Sequence, residues 1–359
     1  MERKYQNLIS VCAAAVNQTA IGTEEITKMD LTELYNAASA HRLTSIVACV
    51  LKSSGIENRL FAQAKLMEEV KIAILDQERE RIISSLTEAK IWCMPLKGVF
   101  MRKYYPRPDM RQMADNDLLF DASRDRDVQK IMGSLGFSLK ADGISYHDSY
   151  WKAPFCHMEM HRALFSSLTT KGLYRYYENI RNKLIGDGYE LHFSHEDFYI
   201  YMIAHDYKHY YSAGLGLRAL LDIYVFRKRF NDELNWDYIH TEMKKIGIDE
   251  FEYQEHRLAC KLFSPGSQEL TKEEEIRLEY YLKSGTFGTA KQKVEQDVNR
   301  EGKIHYVFRR LLFPYKHQIE EFYPFFYKHK ILYPVLPVYR LFRGWKKAIY
   351  ELKLVLRGR

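Results

Sequence analysis

The sequence predicts an α+β fold in which a small mixed β-sheet core is flanked by N-terminal and C-terminal helical regions. Three observations carry this reading. Residues 1–90 place apolar side chains at three- and four-residue spacing, the period of helices packed on one face. Residues 91–168 switch to short apolar stretches and period-two alternation, as in "ADNDLLF" and "CHMEMH". Helical spacing then returns over 169–300, and a basic, aromatic region of 301–359 closes the chain.

Bulk properties narrow the classes. The 359 residues are 46% hydrophobic and 28% charged, which suits a folded chain with a sizeable core and excludes a disordered one. No run of 18 apolar residues occurs, so a spanning helix is not expected. The five cysteines, at 12, 49, 93, 156 and 260, follow no metal-binding or redox spacing; scattered in this way they fit reduced thiols and a cytoplasmic location. The opening "MERKYQNLISVCAAAVNQTA" has basic residues before a short apolar stretch, but reads better as an amphipathic first helix than as a signal peptide. The net charge of +7 is uneven: residues 301–359 hold 13 Lys or Arg against 4 Asp or Glu, a net of +9, and the other 300 residues sum to −2.

The elements follow in order. Asp30 is an N-cap for a helical stretch that runs to Gly55. "LFAQAKLMEEVKIAILDQERERIISSLTEAK" is a longer helix without Gly or Pro. "IWCMPLKG" reads as a strand ending at Lys97-Gly98, "VFMRKYY" as one or two helical turns, and "PRPDMRQ" as a loop. "ADNDLLF" is a strand, and a short helix opens at Ser123. Two strand-like pieces flank a turn at Asp142-Gly143. Ser194, with Asp197 three residues on, opens the helix "HEDFYIYMIAHDYKHYY", and "GLGLRALLDIYVFRKRF" supplies the next.

Asp115 and Asp117 alternate within an apolar strand, so both side chains point to one face. Two carboxylates about 4 Å apart repel by roughly 4 kcal/mol at an effective dielectric near 20. A divalent cation between them reverses that sign, and hard oxygens suit Mg²⁺ or Mn²⁺. "CHMEMH" alternates as well, with His157, Glu159 and His161 on one face. If this strand lies beside the first, Glu159 becomes a third carboxylate of the same cluster. Gly98, at a strand-to-helix junction, lets a backbone approach phosphate, and Lys97 and Arg111 supply positive charge for a triphosphate.

Lys-Gly, then Arg, then D-x-D followed by apolar residues, then E-x-H resembles the polymerase-β-type nucleotidyltransferase superfamily. The closer resemblance is to a bacterial branch, the uncharacterised nucleotidyltransferase family. It is carried by Leu96-Lys97-Gly98, Tyr105-Pro106, Arg111, Asp115, Asp117-Leu118-Leu119, and Glu159 with His161. It extends to "AHDYKHYYSAGLGLRALLDIY", with His205, Lys208, His209, Arg218 and Asp222, and to the pattern "LLFPYKHQIEEFYP" of the tail. The resemblance implies a nucleotidyltransferase core, two divalent metals (Mg²⁺ or Mn²⁺), and transfer of an NMP group from an NTP to a hydroxyl acceptor. It implies Asp115, Asp117 and Glu159 as catalytic metal ligands. Lys97, Gly98, Arg111, Lys208 and Arg218 would contact nucleotide. His161, His205, His209 and Asp222 would support them. The acceptor stays open among a small molecule, a sugar, a protein hydroxyl and an RNA end.

Other readings stand beside this one. Val99 occupies the place where the superfamily has a second glycine or a serine, and Asn116 separates the aspartates where an apolar residue is expected. Both point toward a catalytically weakened binding module, Asn116 because a buried unpaired amide is costly. His157, Glu159 and His161 could bind a transition metal. His205, Lys208 and His209 also fit a polar stripe between helices, and Asp222 pairs most simply with Arg218 four residues before it. In the tail, Trp345, Lys346, Lys347, Tyr350 and Lys353 fall on one helix. That basic, aromatic pattern offers contact with an anionic surface, membrane or nucleic acid, and admits a membrane-peripheral enzyme acting on a glycan or lipid-linked acceptor.

Overall fold

The fold is that of a computed structural model, which describes residues 1–141, 146–167, 170–212, 214–266, 269–286, 294, 297, 298, 302–311, 314, 316, 319, 323–340 and 342. Five helices lead: α1 (Arg3–Asn17), α2 (Thr23–Thr27), α3 (Leu31–Ala40), α4 (Thr44–Ser53) and the 30-residue α5 (Arg59–Glu88). The mixed segment holds β1 (Cys93–Pro95), α6 (Lys97–Tyr104), β2 (Asn116–Phe120), α7 (Asp125–Ser134), β3 (Ser138–Ala141), β4 (His147–Lys152) and β5 (Cys156–His161). After it come α8 (Lys171–Tyr176), β6 (Leu184–Ile185), β7 (His192–Phe193), α9 (His195–Tyr210), α10 (Leu217–Phe230), α11 (Trp236–Ile246), α12 (Asp249–Phe263) and α13 (Lys272–Ser284). Helical pieces at Lys303–Leu311 and Pro324–Lys328 follow. The mixture of helices with one mixed sheet is the α+β class the sequence predicts.

Local chemistry explains most boundaries. The Asp30 carboxylate accepts the N–H groups of Thr32 and Glu33 at 2.9 and 3.0 Å, and Ser194 Oγ accepts that of Asp197 at 3.1 Å, both as expected. The stretch from Asp30 to Gly55 is two helices, not one. Arg42 adopts φ 51°, and the His41 imidazole is drawn into the core, where its Nδ1 accepts the Leu217 N–H at 3.3 Å. The expected opening at Ser123 is instead a short 3₁₀ turn, Ala122–Arg124, whose cap is Asp121. Asp142-Gly143 and the tail helix containing Trp345 lie outside the described residues.

The five-stranded sheet has the order β1-β2-β5-β4-β3. β2 and β5 are parallel; the other neighbours are antiparallel. Period-two alternation gives this sheet two different faces. Leu118, Phe120, Met158 and Met160 pack with Leu75, Ile82 and Leu86 of α5 and Val128 and Met132 of α7. Each such buried side chain contributes about 1.5–3 kcal/mol. The opposite face carries Asp117, Glu159 and His161 toward the second, larger core, which α1, α3, α4, α9, α10 and α12 build around Tyr199, Leu220 and Phe226. Among the described residues, no helix is long and apolar enough to cross a membrane.

Candidate functional site

Parallel pairing of β2 with β5 sets Asp117 directly opposite Glu159 and Leu119 opposite His161. The two carboxylates expected on separate strands therefore share one row, and Asp115 stands just before β2. His161 Nε2 lies 3.3 Å from Asp117 Oδ1 and 3.5 Å from Glu159 Oε2. His157 Nδ1 lies 3.6 Å from Asp115 Oδ2, and its Nε2 is 2.7 Å from Ser149 Oγ. Side-chain donors of Asp115, His157 and Glu159 gather within 4.8 Å of one another, as do those of Asp117, Glu159 and His161, and either set could hold a metal ion.

The electrostatics register this crowding. Burial, with Asp115 beside it, pushes the Asp117 carboxyl up to about 6. Burial also opposes ionisation of Glu159, but the His161 bond and the neighbouring imidazoles outweigh it and hold the group down to about 2. Burial disfavours the charged His161 ring, yet Asp117 and Glu159 together raise it above its ordinary value. His147 on β4, which sequence reasoning missed, lies 3.6 Å from Glu159 and stacks on His161 with ring centroids 4.9 Å apart. Burial and His161 bring His147 down to about 4. The alternation of "HDSYWK" was the available signal for His147 and Ser149, once β4 is known to flank β5.

Asn116 faces the other way, into the α5 side of the sheet, and is fully buried. Its amide donates to the Leu75 carbonyl at 2.7 Å and its oxygen accepts from Arg79 Nη1 at 3.3 Å. The cost expected of an unpaired amide between the aspartates is therefore absent. Val99 is buried too: it packs with the sheet's apolar face and also lines the cleft beside Gly98.

The acids open into a cleft of about 420 Å³ between the sheet and α9–α10. Lys97, Gly98, Arg111, Asp115, Asp117, Glu159, His205, His209, Arg218 and Asp222 all line it, so ten of the twelve expected site residues face one cleft. His161 sits against the carboxylates. Lys208 is directed elsewhere: its ammonium donates to Tyr146 Oη at 3.2 Å and lies over the Tyr146 and Phe165 rings.

The cations are not equally available. Arg111 donates through Nε and Nη2 to the two oxygens of Asp222, both at 2.8 Å, and through Nη1 to the Gly98 carbonyl. Asp222 thus pairs with Arg111, not with Arg218 as its spacing suggests, because Arg111 reaches it in bidentate geometry from across the cleft. Tyr105 adds a third bond to Asp222 at 2.8 Å. Lys97 donates to Asp206 at 2.6 Å, a residue whose role the sequence did not signal. Arg218 makes one hydrogen bond, to the Gln112 carbonyl at 3.2 Å, and has no carboxylate partner among the described residues. Burial and the nearby Arg111 bring it down to about 10. Burial and the surrounding cations hold His205 and His209 well below the ordinary imidazole value, so both rings are neutral near pH 7.

A model of one protein family, described as uncharacterised nucleotidyltransferase, matches residues 27–264 and so takes in the sheet, the cleft and the helices around it. No curated protein and no solved structure matches the chain.

Proposed function

Because the chain belongs to the uncharacterised nucleotidyltransferase family, we propose that it moves an NMP group from an NTP to a hydroxyl acceptor, using the cleft between the sheet and α9–α10. The observation that carries this reading is the pairing of Asp117 opposite Glu159, with Asp115 beside them and the Arg218 guanidinium in the same cleft.

The donor set fits a divalent cation, Mg²⁺ or Mn²⁺. Carboxylate oxygens of Asp115 and Glu159, and of Asp117 and Glu159, lie within 4.8 Å of one another, the hard donors such a cation takes. Asp115, Asp117 and Glu159 would hold it. His157 is oriented as a ligand would be, since Ser149 takes its far nitrogen. His161 has no partner at Nδ1 among the described residues, which suits a hydrogen-bonding support for the carboxylates rather than a ligand. When bound, the cation neutralises phosphate charge and makes the acceptor hydroxyl more acidic.

The chain's own residues do the rest. Gly98, in the first turn of α6, leaves room for the phosphates. Arg218 binds the triphosphate, a role that falls to it because Lys97 and Arg111 are taken up by Asp206 and Asp222. Those two pairs fix the walls of the cleft. The acceptor oxygen attacks the α-phosphorus, the bond from that phosphorus to the oxygen bridging toward the β-phosphate breaks, and pyrophosphate leaves. The acceptor's proton departs through the carboxylate cluster. The satisfied amide of Asn116 favours an active site over a weakened binding module.

The test is incubation of purified protein and host-cell extract with each NTP and Mg²⁺, labelled at the α- or the γ-phosphate, beside an Asp115→Ala/Asp117→Ala variant. Label passing to an acceptor from the α-position alone, and lost in the variant, is the expected result. Passage from the γ-position would mean a kinase and end this reading.

A further inference from the structure

The three most exposed large apolar side chains among the described residues are Ile331 at 90%, Ile304 at 88% and Phe342 at 84%, and all belong to the C-terminal 59 residues. Phe325, Val335 and Val338 are also more than half exposed. Isolated apolar side chains at a surface are ordinary, but this concentration is not.

The segments that carry them are joined. Arg340 donates to the carbonyls of Arg309 and Arg310 at 3.2 and 2.9 Å, tying the segment around Tyr339 to the helix Lys303–Leu311. The ring of Tyr339 meets that of Phe326, and Ile319, Phe326 and Leu336 form a small core beneath. Lys316, Lys328 and Lys330 are exposed on the same substructure, and residues 302–342 hold seven Lys or Arg against two acids, Glu320 and Glu321.

We propose that this surface docks on an anionic lipid bilayer, with Ile304, Ile331, Val335, Val338 and Phe342 entering the interface and the lysines meeting phospholipid headgroups. The charge of +9 over residues 301–359, in a chain otherwise near neutral, complements an acidic membrane. Four of the five inserting side chains, Ile304, Ile331, Val335 and Val338, are aliphatic, which fits hydrocarbon better than the stacked rings that single-stranded nucleic acid seeks. A second copy of the chain would bring like charges together. This inference does not depend on the chemistry of the cleft.

The experiment is co-sedimentation of the full chain with vesicles of phosphatidylcholine alone or mixed with phosphatidylglycerol. Binding is expected only with the mixed vesicles and should weaken with salt. Lys316→Glu/Lys328→Glu/Lys330→Glu should weaken it about a hundredfold, given the usual headgroup attraction per basic residue. Ile304→Ser/Ile331→Ser/Phe342→Ser should weaken it by at least about tenfold, since each removes inserted apolar area. These side chains are so exposed that the fold should tolerate their replacement, which circular dichroism checks. Failure to sediment with the mixed vesicles overturns the proposal. So does an aliphatic variant that binds as well as the parent while RNA competes for the lysines. A change of oligomeric mass in that variant, without loss of vesicle binding, would mean self-association instead.

Discussion

Arg111 and Asp222, 111 residues apart in the chain, meet in two parallel hydrogen bonds of 2.8 Å, with both side chains almost wholly buried. The pair joins the loop before β2 to α10, and Tyr105 completes the carboxylate's bonding. Removing one partner leaves the other charge buried and uncompensated. Asp222→Ala is therefore expected to destabilise by about 3–5 kcal/mol, whereas the double change Arg111→Met/Asp222→Leu should cost far less. Urea unfolding of the single and double variants measures the difference.

Acid should attack the same pair. Burial works against ionised Asp222, but Arg111 overcomes it and holds the group down to about 2, against an ordinary carboxyl near 4. The native state thus binds this proton less tightly than the unfolded chain. The pair's ionic contribution, roughly 2–3 kcal/mol, is complete above about pH 4 and is lost as pH falls toward 2. Urea midpoints measured from pH 6 to pH 2 should fall less steeply over that window in Asp222→Asn than in the parent.

Arg218 should behave differently from its paired neighbours. Arg218→Ala breaks only the bond to the Gln112 carbonyl, so its melting temperature should stay close to the parent's. Its affinity for NTP should drop about 10- to 100-fold, the worth of charge-assisted bonds to phosphate. Lys97→Ala, by contrast, strands buried Asp206 and should lower stability first. Calorimetric titration with a non-hydrolysable NTP and thermal melts separate the two behaviours.

Two glycines make a further contrast. A Cβ at Gly216 would lie 2.8 Å from the Gly285 carbonyl carbon, backbone that cannot step aside, so Gly216→Ala should destabilise markedly. At Gly98 the nearest atom is Met113 Sδ at 3.3 Å, the end of a flexible side chain. Gly98→Ala should fold nearly as well as the parent yet bind nucleotide less tightly, because the methyl group presses on Met113 and on Arg111 Nη1, 3.6 Å away, both of which line the cleft. Thermal melts and nucleotide titration of both variants test this.

Alternation within "ADNDLLF" and "CHMEMH" made the carboxylate cluster legible in the sequence, since period two alone decides which residues share a strand face. What alternation cannot supply is which strands adjoin. That His147 and Ser149 flank the cluster follows only from the antiparallel pairing of β4 with β5. Asn116 misled for a related reason: its cost depends on whether α5 presents partners for the amide, and the Leu75 carbonyl as acceptor and Arg79 as donor do so from about forty residues upstream. Spacing likewise offered Arg218 to Asp222, but the bidentate partner came from a distant loop. The break at His41 escaped the helical period because both halves keep it, and the burial of the imidazole against α10 imposes the turn.

The pairs Lys97–Asp206 and Arg111–Asp222 also constrain inheritance. A lineage that loses either member of a pair passes through a protein with a stranded interior charge, so single replacements at these four positions are selected against even where the lost residue does no chemistry. Surviving descendants should change positions 111 and 222 together, and 97 and 206 together, or leave them alone. Two coupled pairs of columns in an alignment would then record the architecture of the cleft walls, a trace separable from whatever selection for activity leaves on Asp115, Asp117 and Glu159.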